Sequence, residues 1–203
     1  MTAYTIWTKE EYQERASVVA PKLLGQYLIH RTAETTYIGR IVETEAYGGS
    51  YRRMADDGAH SFRGLTKRTE PMFCAGGVSY VYLIYGMYHC VNIVTGPEGS
   101  GQAVLIRAVE PVAGIEHMLE NRRMQAVKPA VSNGPGKLCR AMDITLAQNR
   151  LDLCGSELYI ARPAEQPRFA VVRTTRINID YAVKGKQFPW RFYIKDNPYV
   201  SMR

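Results

Sequence analysis

The chain has 203 residues, 46% of them apolar, and a net charge of +7, enough for one well-buried core and, at this length, a single domain over residues 1–203. With neither a basic-then-apolar leader nor a run of 18 apolar residues, the expectation is a soluble, thiol-reduced cytoplasmic protein without a membrane association, near the nucleoid if bacterial. Cys74, Cys90, Cys139 and Cys154 are far apart, without a C-x-x-C or a histidine at ligand spacing, so neither a metal nor a cofactor is expected.

The basic excess is unevenly placed. Residues 1–50 hold five Lys/Arg against six Asp/Glu, leaving 21 against 13 in the rest. Asn121 to Arg140 carries five basic residues and no acid; Arg162 to Lys195 carries eight and two. Such clustering points to a polyanion, nucleic acid first, because each neutralised phosphate releases counterions. Scattered lysines and arginines are also an ordinary solubility device, but the clustering favours the polyanion.

In chain order, Thr8 and Glu11 form a capping box that predicts a helix to about Ser17, and Pro21 opens a short second turn ended by Gly25. Gln26 to Thr32 and Tyr37 to Tyr47 read as a strand pair. Gly48 to Gly77 has no periodicity and is too long for a plain connector, so it is a candidate functional loop. Tyr80 to Tyr85, Tyr88 to Thr95 and Ala103 to Val109 resume strand character, and Val112 to about Met124 reads as an amphipathic helix. A glycine-rich turn from Asn133 feeds a short helix, and short strands fall near Glu157 to Ala161, Phe169 to Arg173 and Arg191 to Lys195. Many strands and few helices, not alternating as β-α-β units, predict an α+β fold on a curved, mainly antiparallel sheet with peripheral helices.

Two glutamates, Glu43 and Glu45, interrupt the apolar run Ile41 to Tyr47. Alternation puts Ile41, Glu43, Glu45 and Tyr47 on one face of a strand. Two readings stand: a strand with one solvated face, or a carboxylate held partly out of water beside a tyrosine for acid or base chemistry. Tyr80 to Asn92 holds four of the 14 tyrosines, with Gly86 at the turn. Its bulky tip, with Tyr85, Met87 and Tyr88, either packs on the protein's own core or inserts into a base step. His60 lies in the irregular loop, and Arg107 inside an apolar strand wants Glu43, Glu45 or Glu110 as its partner. Gly134-Pro-Gly-Lys137 offers backbone N–H groups at a helix start but lacks P-loop spacing.

In this order, the segments Gly39 to Tyr47, Ala59-His-Ser61, Tyr80 to Asn92, Val104 to Pro111, Gly134 to Cys139 and Asn197 to Ser201 closely resemble the alkyladenine (3-methyladenine) DNA glycosylase family. The resemblance runs from about Leu23 onward, and its Glu-Thr-Glu-Ala-Tyr and Tyr-x-x-Tyr-Gly-Met-Tyr motifs are long and specific. It implies a monomeric, metal-free base-excision repair enzyme without a lyase lysine, which flips alkylated or deaminated purines from double-stranded DNA and hydrolyses the N-glycosidic bond. By motif, Glu45 matches the general base and Arg107 the arginine that helps hold the attacking water. Tyr47, His60 and Tyr82 match the base pocket, Asn92 the residue that crowds a guanine 2-amino group, and Tyr85 the intercalating wedge. Ile177 or Ile179 matches an aliphatic pocket residue. The chain departs from the pattern at His89, where an aromatic is expected, and over Gly48 to Asp57.

A pocket shared by Tyr82 and Asn92 requires both on one face of the hairpin. A two-residue turn at Gly86-Met87 would put them on opposite faces, whereas a three-residue loop, Gly86-Met87-Tyr88, pairs them directly; the second register is predicted. The rival functions are a noncatalytic nucleic-acid binder and a sugar hydrolase. The latter fits poorly, since two carboxylates on one strand face cannot flank a glycosidic bond.

Overall fold

The computed structural model describes residues 3–165 and 167–202. Its strands are β1 (Tyr4–Ile6), β2 (Tyr27–Arg31), β3 (Thr36–Tyr47), β4 (Ser50–Tyr51), β5 (Met54–Ala55), β6 (Ser79–Ile84), β7 (Tyr88–Thr95), β8 (Gln102–Ala113), β9 (Leu158–Pro163), β10 (Val171–Thr174) and β11 (Arg191–Ile194). Three helices accompany them: α1 (Ala16–Lys22), α2 (Ile115–Arg122) and α3 (Pro135–Ala141). Nine strands make one open sheet in the order β1-β9-β2-β3-β8-β7-β6, with β11 also on β3 and β10 on β11, while β4 and β5 form a separate small hairpin. The pairings are antiparallel, and the α+β expectation holds.

The 12-residue β3 is the spine of the sheet. Its N-terminal half pairs with β2 and its C-terminal half with β11, while β8 runs along its other edge. On one face Val42 and Ala46 join the main core, and Thr44 Oγ1 donates to the Ala20 carbonyl at 2.9 Å, tying α1 to the strand. Glu43, Glu45 and Tyr47 take the other face. The β3–β8 register shifts between Ile41 and Glu43 and again before Thr44. Such an irregularity bends a strand and re-aims side chains, and it falls where Arg107 meets the two glutamates. The main core is closed by Val19 and Ala20 of α1, by Leu23 directly after it, and by Leu138 and Cys139 of α3.

Several local expectations change. Thr8 opens a four-residue 3₁₀ turn, Lys9–Tyr12, rather than a helix to Ser17. The chain then straightens at Arg15, and α1 begins at Ala16 with Pro21 inside it; burial of Tyr12 against Trp7 overrides the local propensity. β8 continues through Val112 and Ala113, because the left-handed Gly114, at φ 71°, is where the strand can turn into α2. The irregular loop contains the β4–β5 hairpin and two 3₁₀ turns.

The β6–β7 loop has three residues as predicted, but they are Tyr85-Gly86-Met87. Ile84 pairs with Tyr88, Tyr82 with Cys90 and Tyr80 with Asn92. The left-handed pair falls at Tyr85 and Gly86, with φ of 52° and 69°. Tyr88 stays in the strand because its side chain packs on Gly136, where a Cβ would come within 3.0 Å of it. A shift of two residues preserves the face, so Tyr82 and Asn92 still share one side, and Tyr80 joins them.

Candidate active site

Glu45 is fully buried, and three donors hold its carboxylate. Oε2 accepts the Tyr47 hydroxyl at 2.7 Å and Arg107 Nη1 at 3.2 Å; Oε1 accepts the Ile177 backbone N–H at 2.8 Å. A carboxylate offers about four acceptor positions, so one remains open. Glu43 is treated differently. Its Oε1 accepts from Arg107 Nε at 3.0 Å, Arg191 Nε at 2.7 Å and Ser201 Oγ at 3.0 Å, and its Oε2 accepts the Ser201 N–H at 2.7 Å. Two arginines and two glutamates therefore balance inside the sheet, with Glu43 saturated and Glu45 not. Burial works against the charge on Arg107, but Glu45 and Glu43 outweigh it and hold its pKa above the ordinary value.

Beside this cluster lies a cavity of about 560 Å³, within the usual range of small-molecule pockets. Tyr47, His60, Tyr82, Tyr85, Asn92 and Arg107 all line it, as do Ile177 and Ile179. Glu45 does not; it sits behind Tyr47, Arg107 and Ile177, bonded to each. Thus six of the seven residues singled out from sequence meet at one cavity and the seventh contacts its wall. Of the two isoleucines, Ile177 is the one whose backbone reaches Glu45.

The walls are aromatic. His60 packs its edge on Tyr82, with centroids 4.8 Å apart, and its Nδ1 lies 3.1 Å from the Tyr80 hydroxyl. Burial, reinforced by the positive Arg68, pushes the His60 pKa down to about 4, so the ring is neutral at pH 7. Asn92 Nδ2 donates to the Tyr80 carbonyl at 3.0 Å, which fixes the amide by its nitrogen end. Desolvation, followed by the charge of Glu45, raises the Tyr47 hydroxyl well above its usual pKa; it is a donor, not a phenolate. At the rim, Tyr85 is 79% exposed and Met87 66%, so the hairpin tip does not pack on the core. Arg122, Lys137 and Gly134 to Gly136 complete that side.

Sequence reasoning missed the support behind Tyr47. Arg176, with its guanidinium 4.6 Å from the Tyr47 ring centroid, makes a buried two-point ion pair with Asp56 at 2.6 and 2.7 Å. The signal was present in an acid inside the irregular loop and an arginine directly before Ile177, but nothing in spacing joins positions 120 apart. Tyr80 and Tyr181 also line the cavity unforeseen.

A buried, partly satisfied carboxylate behind an aromatic cavity, with an exposed aromatic tip at its mouth, defines a candidate site with room for a planar ring and a carboxylate bonded to its wall. The chain belongs to the methylpurine-DNA glycosylase family, whose model matches residues 10–198. It is accordingly an enzyme that hydrolyses N-glycosyl bonds, with DNA as its substrate, and the rival readings as a noncatalytic binder or a sugar hydrolase fall away. Among its relatives are proteins of Alkaliphilus oremlandii, 47% identical over 95% of this chain and 96% of theirs, and of Bacillus cytotoxicus, 48% identical over 90% and 93%. A Legionella pneumophila protein is 45% identical over 94% of each. All three are provisionally named 3-methyladenine DNA glycosylases. Among the described residues no helix is long and apolar enough to cross a membrane.

Proposed function

We propose that the enzyme excises alkylated and deaminated purines, of the 3-methyladenine, hypoxanthine and ethenoadenine class, from double-stranded DNA as a monomeric single domain. The observation that carries this reading is Glu45: a buried carboxylate with one open acceptor position, bonded to three groups on the wall of an aromatic cavity. A flipped purine lies between Tyr47 and Tyr82, against His60. Its positive charge, when alkylated, adds about 0.5 to 2 kcal/mol of attraction to those rings. Asn92 crowds a 2-amino group and so disfavours guanine.

Glu45 accepts a proton from water held with Arg107, and the water oxygen bonds to the anomeric carbon as the N-glycosidic bond breaks, its electron pair leaving with the base. The carboxylate charge also stabilises the oxocarbenium character of the transition state. 3-Methyladenine is already cationic in the nucleotide and leaves as a neutral base, whereas the neutral hypoxanthine and ethenoadenine leave as anions that take a proton from solvent. Tyr85, exposed at the turn beside the cavity, fills the gap in the duplex. Base release from duplexes carrying single hypoxanthine, ethenoadenine, 3-methyladenine or undamaged adenine tests the assignment. Release from the damaged duplexes alone is expected; release from none of them would refute it.

A further inference from the structure

The β4–β5 hairpin belongs to no part of the mechanism. Its two turn residues, Arg52 and Arg53, both sit in the left-handed region, at φ 48° and 68°. A two-residue turn of this type is suited to Asn-Gly, and arginine at either position is strained. Both arginines are exposed, and among the described residues neither has an ion-pair partner. The acids nearest in sequence are already engaged. Asp56 is bound to Arg176, and Asp57 accepts the backbone N–H groups of Val183, Lys184 and Gly185.

The hairpin is also well anchored. Tyr51 packs on Phe188 and Trp190, with centroids 5.2 and 6.2 Å away, and Arg52 lies over the Tyr51 ring. Its base is closed by the Asp56 N–H to the Gly49 carbonyl at 3.0 Å. Tyr47 and Gly58, just outside that closure on either side, line the cavity. Three residues from Gly49 to the tip, at ~3.3 Å each, put the arginines at most ~10 Å beyond Gly49, two residues on from the cavity-lining Tyr47. That is about three phosphate steps along one strand, at 3.4 Å of axial rise. Lys184 and Lys186 are exposed on the neighbouring segment that Asp57 holds.

We infer that the β4–β5 hairpin is a second DNA contact, a phosphate clamp in which Arg52 and Arg53 grip the backbone flanking the flipped nucleotide. It is separate from the β6–β7 tip and the base pocket, and it rests on the proposed reading only in taking that cavity as the place where the nucleotide enters. The strained turn keeps two unpaired charges at a fixed height beside the cavity, where an unstrained Asn-Gly turn would present none.

The test replaces the turn with the residues its geometry favours, Arg52→Asn with Arg53→Gly, and measures binding to an undamaged duplex over a salt series. Phosphate contacts carry no base information, so this readout is independent of base release and stands apart from the Glu45 assignment. Relief of the turn raises the melting temperature by a few degrees, which verifies folding. Affinity falls at least tenfold at moderate salt, and the slope of log K against log salt becomes shallower by about two, at about 0.9 per lost phosphate contact. Arg52→Lys with Arg53→Lys retains the parent slope. An unchanged slope in the Asn-Gly variant, or an equal loss in the double-lysine variant, overturns the proposal.

Discussion

Glu43 and Glu45 stand two residues apart on one face of β3, and their neighbours separate their roles. Four hydrogen bonds saturate Glu43, whereas Glu45 keeps a free acceptor position. Glu43→Gln leaves Arg107 and Arg191 short of a buried counter-charge and is expected to cost about 3 to 5 kcal/mol of stability, read from denaturant unfolding. Tyr47→Phe removes one charge-assisted bond to Glu45, worth about 1.5 to 3 kcal/mol, so base release slows roughly 10- to 100-fold with little change in fold. His60 titrates at about 4, below its ordinary value near 6.5. Its proton is bound in the unfolded chain before the folded one, so its contribution to stability is full above about pH 6.5 and is lost as pH falls towards 4. An NMR titration of His60 with a midpoint near 6.5 would contradict this. The glutamates were legible in the sequence because carboxylates in a β-branched run demand a reason. Arg176 was not, since its meaning lies in contacts with Asp56 and Tyr47 that only the fold creates.

Among the elements, β3 and the β6–β7 hairpin carry the site. The strands could be read because alternation and β-branched runs are local signals. The start of α1, the end of β8 and the hairpin register depended on tertiary packing: Tyr12 against Trp7, the left-handed Gly114, and Tyr88 against Gly136. The two-residue shift in the hairpin left the predicted face intact and brought in Tyr80, which now spans His60 and Asn92 through its hydroxyl and carbonyl. Tyr85, at φ 52°, pays a conformational cost for its place at the tip. Tyr85→Gly is therefore expected to stabilise the protein by about 1 kcal/mol, while weakening binding to a damaged duplex, because the proposed wedge is gone. Loss of stability together with undiminished binding would show that the ring serves the fold instead.

For the whole molecule, one open sheet sets a buried charge cluster directly behind a cavity, and one of the two basic segments contributes charged side chains to the cavity's lining. Arg122 and Lys137, from the stretch without acids, line the cavity, while Lys184 and Lys186 of the second basic stretch are exposed on the segment held by Asp57. On the proposed function, part of the charge asymmetry of the sequence thus serves DNA at the cavity rather than general solubility. It predicts that the catalytic efficiency on damaged duplex falls steeply with salt, whereas the rate at saturating duplex changes little; equal sensitivity of both would contradict it. In the proposed mechanism Glu45 performs the chemistry while the surrounding site binds DNA without it. Single-turnover base release by Glu45→Gln, on a duplex with one hypoxanthine and with binding followed in parallel, tests this most directly. Release is expected to be abolished while the variant stays folded and binds the duplex about as well as the parent, whereas undiminished release would refute the role of Glu45.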